Sequence, residues 1–417
     1  MKMKKLLIYF FAIIFDCVTS YEVLAKFEFN NYTNGMLSTP MDLSFYGVDS
    51  NTVDGRVDNR FVAEYINNDF KIQFHLLSSL SNNYVDESKD IPVNLVIKND
   101  DLSLFRMYSN TKIGDMNFIN KVDRLNFSYS KENYKIILGR EGLTFSRGRV
   151  FHANDFFNPQ NPGFYDGDYK MGSDLAYFNY GFNQHNSVTF VYVPRRNEIT
   201  KELTMEDSTA AIQYSYNNDF FDYSVVVAQY LRDYTIATGS SFDFLFGSVM
   251  RFDTSFWKLE DYDNSDISNI TMVGIERPFL VYDKTLTFFV EYFYNQLGYD
   301  GDTSSADYFS KINKSLIKRI NNQDTYLMGK NYGALGLIFE INQHTSITYT
   351  NTINLYDLSL FNSFGVSYSA TDKLTLSVTA AVPIGGNGDE FGKICYYGSP
   401  ECFAMSSIFM FSFNYSI

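Results

Sequence analysis

The feature that most constrains this chain is a period of two. Phe70, Ile72, Phe74 and Leu76 alternate with Lys71, Gln73 and His75, and Leu125, Phe127 and Tyr129 with Arg124, Asn126 and Ser128. Ile347, Tyr349, Ile353 and Leu355 alternate with Thr348, Thr350, Thr352 and Asn354, and Leu374, Leu376 and Val378 with Thr375, Ser377 and Thr379. Leu286, Phe288, Val290, Tyr292 and Tyr294 share one face of a single segment. Successive strand residues point to opposite faces, so each segment has an apolar and a polar side. The polar side suits a wet interior and not a packed core. A soluble sandwich with one wet face per sheet would show the same alternation. Segment length argues against it, because many run to about ten residues, the span of a tilted membrane strand.

The breaks between segments differ in length. Asn67-Asn68-Asp69, Lys131-Glu132-Asn133, Asn183-Gln184-His185, Asn217-Asn218-Asp219, Tyr282-Asp283-Lys284, Asn342-Gln343-His344 and Ala370-Thr371-Asp372 are short and polar. This is hairpin chemistry. An eighth tight turn is expected near Phe246 to Met250. Longer connections lie between, at about 31–55, 82–120, 146–172, 298–331 and 384–403. Short turns at one end and long loops at the other is the asymmetry of outer-membrane barrels, the short set being periplasmic. Eight such turns, with both chain ends on the same side, give eighteen strands, or sixteen if the 237–260 region is misread. The expected fold is all-β: a transmembrane antiparallel up-and-down barrel formed by residues 26–417, with an inward-folded loop near 146–172.

Composition agrees. The chain has 33 Tyr and 40 Phe against one Trp. Such rings favour strands and membrane interfaces. A mean hydropathy of −0.20 excludes a helical membrane bundle. It allows a barrel, in which only alternate residues face lipid. At the N-terminus, Lys2, Lys4 and Lys5 precede the apolar run Leu6 to Phe15, too short to span as a helix. Val23-Leu24-Ala25, or Val18-Thr19-Ser20, fits a cleavage site, so residues 1–25 are expected to be a removed signal peptide. Cys17 follows Asp16 and fits a lipoprotein signal poorly.

At the other end Phe409, Phe411, Phe413, Tyr415 and Ile417 alternate to the last residue. This resembles the C-terminal signal of outer-membrane proteins, with Ile417 where Phe is usual, and implies the barrel-assembly machinery as a partner. Gly139-Arg140-Glu141-Gly142 leads through Phe145-Ser146-Arg147-Gly148-Arg149 to Asp155 and Asn158-Pro159. The segment resembles a pattern of Gram-negative outer-membrane barrels of the porin and alginate-export type, on Gly139, Arg140, Gly148, Asp155, Asn158 and Pro159. Glu141 replaces the usual Gln and Ser146 the usual Gly. The resemblance covers about forty residues and implies an outer-membrane barrel, not a substrate.

Within that segment Arg140, Arg147 and Arg149 stand in one connection with Asp155, Asp166, Asp168 and Lys170. A loop folded into a barrel needs its charges paired or wet. These residues form either a constriction that filters solutes, as charged rings do in pores, or a salt-bridge latch against the wall. The two readings are compatible. Cys395 and Cys402 share the last long loop, and in an oxidising compartment they are expected to form a disulfide.

Enzyme chemistry has little support. The four His (His75, His152, His185 and His344) show no pairing with a Ser nucleophile, and no P-loop, zinc spacing or dinucleotide fingerprint appears. No cofactor or metal is expected. A net charge of −14 argues against nucleic acid as a partner. Asp261, Asp263 and Asp266, with Asp300, Asp302 and Asp307, crowd the long loops as solvated residues or as cation bridges to lipopolysaccharide. Two functions compete. One is a passive channel for small hydrophilic, anionic or acidic-saccharide solutes. The other is a non-conducting surface barrel that binds a partner through its loops.

Overall fold

The computed structural model describes residues 26–40, 54–81, 102–114, 116–157, 170–197, 199–260, 267–299, 314–321, 325–395, 402–404 and 406–416. The first strands are β1 (Lys26–Pro40), β2 (Asp54–Asn67), β3 (Phe70–Ser81), β4 (Tyr108–Ile113), β5 (Met116–Lys131) and β6 (Tyr134–Glu141). Next come β7 (Ser173–Gly181), β8 (Asn186–Arg196), β9 (Leu203–Asn217), β10 (Phe221–Tyr230), β11 (Asp233–Phe244) and β12 (Ser248–Lys258). Then follow β13 (Ile267–Val281), β14 (Lys284–Asn295), helix α1 (Lys314–Asn321), β15 (Asn331–Asn342), β16 (Thr345–Asn354) and β17 (Leu360–Thr371). The series ends with β18 (Leu374–Ile384), the short pair β19 (Lys393–Cys395) and β20 (Cys402–Ala404), and β21 (Ser406–Ser416).

The main sheet has nineteen strands, each antiparallel to its neighbours, and it closes on itself. β1 pairs with β2 on one side and with β21 on the other, and β21 pairs with β18. β4 is an accessory leg. β6 pairs only with Leu125 to Lys131 of β5, and β4 takes the place beside Met116 to Lys121 that β6 leaves empty. Eighteen strands therefore form the barrel. All eight expected tight turns are present, including Leu245–Gly247 between β11 and β12. Asn68, Glu132, Phe246, Tyr282 and Asp283 adopt the left-handed conformation these tight turns require.

Two expected loops are corrected. The connection placed at 31–55 is shorter, because β1 runs on to Pro40 and β2 starts at Asp54. The connection placed at 82–120 ends earlier, because β4 and the first part of β5 lie within it.

Side chains sort by face. Phe27, Phe29, Phe178, Phe190, Ile236, Phe256, Val290, Phe364, Phe409, Phe411 and Phe413 all project from the outer surface. Such a belt is stable in hydrocarbon and costly in water. The inner face is less uniform than the alternation suggests. On β16 to β18 it carries Thr350, Thr352, Ser363, Ser377 and Thr379, as expected. On β8 to β14 it carries Val191, Val193, Ala211, Val226, Ala228, Met272, Phe289 and Phe293, all buried. These strands are apolar on both faces, because a buried core sits inside the barrel on that side.

Candidate functional site

That core is built by the connection from β6 to β7. Phe145, Phe156 and Phe157 pack with Val191, Val226, Tyr230 and Trp257. Val150, Phe151 and Ala153 pack with Met272, Phe293 and Tyr332. Phe156 meets the only Trp edge-on at 5.5 Å, and Phe151 stacks on Phe293 at 5.1 Å. From the β14–β15 connection, α1 buries Leu316 and lays Arg319 over the Trp257 ring at 4.0 Å, with a bond of 3.2 Å to Asp233. Rings at these separations add about 0.5–1.5 kcal/mol beyond area burial.

Two wall carboxylates fasten the loop backbone. Glu291 of β14 accepts from the N–H groups of Arg149 at 2.5 Å, Val150 at 2.9 Å and Phe151 at 3.0 Å. Asp253 of β12 accepts from the Ser146 hydroxyl at 2.5 Å and from the Arg147 N–H at 2.7 Å. Ser255 donates to the Ala153 carbonyl at 3.0 Å, and Asn154 donates to that of Thr238 at 2.8 Å. An irregular segment inside a barrel must satisfy its polar backbone, and here the wall supplies the partners. Neither Asp253 nor Glu291 stands out in the sequence. Their signal is a lone acid at an inward position of an aromatic or apolar strand.

The arginines occupy three different settings. Arg140 has no exposed surface. It donates to Asp174 at 2.8 and 3.2 Å, to the Val122 carbonyl at 3.0 Å and to that of Phe105 at 2.6 Å. Arg147 bonds Ser224 at 2.9 Å and lies 3.9 Å from Asp253. Arg149 pairs with inward-facing Glu276, beside Arg251 at 2.9 Å from the same carboxylate, and its side chain keeps 39% of its surface exposed. Glu276 raises the Arg149 pKa, against partial burial. The carboxylate partners of all three, Asp174, Asp253 and Glu276, come from strands. Among the described residues, only Lys170 and Asp155 form an ion pair within the connection, and both are buried. Enclosure pulls the Lys170 ammonium down, and Asp155 opposes this. Asn158, Pro159, Asp166 and Asp168 lie outside the described residues, as do Asp261, Asp263, Asp266, Asp300, Asp302 and Asp307.

The two motif glycines have separate reasons. Gly139 has φ of +120°, and a Cβ there would stand 2.3 Å from the Leu125 carbonyl oxygen. At Gly148 a Cβ would stand 1.9 Å from the Phe151 carbonyl oxygen, so only glycine permits the loop's tight fold.

Across the lumen, β2, β3 and β5 carry an inward charge network. Arg60 and Arg124 both bond Asp123, at 2.6 and 2.9 Å, and Arg124 also approaches Glu141 at 3.1 Å. Arg56 pairs with Asp58 and Lys71 with Glu64, each at 2.8 Å. His75 and Lys121 lie on the same wall. At the loop end, Glu390 is buried between strands. It accepts from the Met328 N–H at 2.7 Å, from Asn354 Nδ2 at 2.8 Å and from the Tyr332 hydroxyl. Enclosure pushes its pKa up to about 7.

A closed eighteen-strand barrel with an apolar outer belt and a loop gripped against its inner wall has the fold of the outer-membrane porins. It is similar to a BenF-like porin from Pseudomonas fluorescens Pf-5, with 8% identity, TM-score 0.54, and 94% of this chain and 99% of that one covered. It is also similar to Pseudomonas aeruginosa OccK5 (OpdH), with 8% identity, TM-score 0.53, and 94% and 98% covered. A third similar structure is P. aeruginosa OccK2 (OpdF) in complex with glucuronate, with 7% identity, TM-score 0.54, and the same 94% and 98% covered. No family model matches the sequence, and no curated relative matches it.

Proposed function

We propose that this barrel is a passive channel for small hydrophilic solutes and that it favours anionic ones. The observation that carries the reading is the division of the inner wall. The β8–β14 side is filled by the fastened loop, and the β16–β18 and β2–β5 sides keep hydroxyls and charges. Water and small solutes pass along the second side. In the network on β2, β3 and β5 and the last residue of β6, the cations are Arg56, Arg60, Lys71, Lys121 and Arg124, and the acids are Asp58, Glu64, Asp123 and Glu141. That is five against four, a local excess of one positive charge in a chain of net −14. Arg149 adds an exposed guanidinium inside the barrel. The glucuronate in one similar porin is a hydroxylated carboxylate, the chemistry such a wall recognises.

In this reading residues 1–25 are removed on export, β21 engages the assembly machinery, and Cys395 and Cys402 are oxidised. The competing reading, a sealed barrel that works through its loops, is favoured by the apolar core inside the lumen. Planar-bilayer recording separates the two. A channel gives discrete conductance steps, with a reversal potential in a salt gradient that favours Cl⁻ over K⁺. Arg56→Gln with Lys71→Gln shifts that potential toward K⁺. Silence from folded protein would sink the channel reading, and steps with an unchanged potential in the variant would remove the anion preference alone.

A further inference from the structure

We propose that the outer wall binds one acyl-chain lipid with a phosphate-bearing headgroup, its chains lying across β6 to β12 and its phosphate at Lys258. The site rests on the chain's spanning a bilayer and is independent of conduction. In cross-strand register, Leu138 stands beside Ala176, Ala176 beside Tyr192, and Tyr192 beside Ala210. The row continues from Ala210 to Gln229, to Tyr234 and to Lys258. All are on the outer face.

The adjacent outward row is bulky, with Phe178, Phe190, Ile212 and Phe256 in register order. The two alanines therefore leave a trough beside a bank of rings. It has a volume of about 1050 Å³. Barrel strands tilt by roughly 35–45°, so a row perpendicular to them climbs through the bilayer. This one begins at mid-strand on β6, at Leu138, and finishes at the loop end, where Lys258 is the last residue of β12.

The polarity changes where the trough reaches the surface. A second, polar pocket of about 280 Å³ adjoins it and shares Gln229, Tyr234 and Lys258. Its two acids gather on Arg232, Glu260 at 3.4 Å and Glu206 at 3.7 Å, and Arg232 also holds Asp207 at 3.0 Å outside the pocket. The exposed Lys258 ammonium takes no carboxylate partner among the described residues. The occupant that fits is long, flexible and apolar along the trough and anionic at the surface. An ammonium binds phosphate as a point charge, and tyrosines beside it match the polarity step at a membrane interface.

Native mass spectrometry of the full barrel in mild detergent tests the site, with diphosphoryl hexa-acyl lipid A as probe. Diacylglycerol of matching chain length and glucose 1-phosphate serve as controls. The expected result is one lipid A retained per barrel, weaker retention of diacylglycerol and none of glucose 1-phosphate. Ala176→Leu with Ala210→Leu fills the trough and removes the lipid adduct. Lys258→Gln keeps an adduct but loses the preference for lipid A over diacylglycerol. Ala380→Leu, on the outer face of β18, leaves binding unchanged. Heat-modifiable gel mobility reports folding, and if the double variant does not fold, the Lys258→Gln preference decides. The site is overturned if the folded double variant keeps the adduct, if Lys258→Gln keeps its preference, or if glucose 1-phosphate binds by itself.

Discussion

Arg140 and Arg149 are nine residues apart in one motif, yet they are different instruments. Arg140 is enclosed, and removing it strands the Asp174 carboxylate in the interior. Breaking a buried pair costs about 3–5 kcal/mol, whereas an exposed pair costs about 0–1. Arg140→Gln is therefore expected to lower the urea midpoint of refolded barrel strongly, and Arg149→Gln hardly at all. Equal effects would remove the distinction between latch and lumen residue. Glu390 makes a second case. Burial favours its protonated form in the folded loop, so its pKa lies above that of an unfolded carboxyl. Between the ordinary carboxylate range and about 7 the unfolded chain has lost the proton and the folded one retains it, so stability falls as pH rises across that window. Hydrogen-exchange protection in the 385–392 segment, taken relative to the intrinsic rate at each pH, should fall from pH 5 to pH 7.5, and Glu390→Gln should flatten that fall. The sequence made the motif arginines visible as a cluster. The partners Asp253 and Glu276 were hidden, because each is remote and lies singly within a strand.

At the scale of elements, turns were the most legible part of the sequence, because Asn, Asp and Gly chemistry at a hairpin is local. The first half of β5 and the second half of β1 were not legible, for physical reasons. β5 carries a bulge opposite His75 and Leu76 that shifts its phase at Asp123. Outward positions of β1 hold Asn31 and Thr33, which erase the apolar period. They are tolerated because Asn59 donates to them at 2.6 and 2.9 Å. Two predictions belong to this scale. Tags in 298–331 or 384–403 are expected to be reachable on intact cells, and tags in 131–133 or 342–344 are not. Labelling of the short turns would invert the orientation. Cys395 stands opposite Cys402 in the β19–β20 pair, although both side chains lie outside the described residues. Opposed positions of an antiparallel pair have Cα atoms roughly 4.5–5.5 Å apart, within disulfide range. The expected bond adds at most about 2–3 kcal/mol. Two free thiols in non-reduced protein by mass analysis would contradict it.

For the whole molecule, the distinctive feature is a barrel with a core inside one half of it. Glu291 and Asp253 hold the inner loop to the wall through five hydrogen bonds. Leaving those donors unpaired costs about 1–3 kcal/mol each. Glu291→Ala with Asp253→Ala is therefore expected to release the loop, raise single-channel conductance and admit larger polyethylene glycols. An unchanged exclusion size would show that the loop does not set the bore. Strand number and fold class were open to pattern reading because every strand obeys one geometry. The internal core was not, since strands that are apolar on both faces look alike whether a loop or lipid covers them. Closure has a kinetic side as well. β1 completes its pairing only with β21, at the opposite end of a chain of 417 residues. Contacts of such sequence separation form late and slowly. Until the last strand arrives, β1 remains a sticky edge able to pair with another chain, so the time between synthesis and closure is when this protein is most exposed to aggregation.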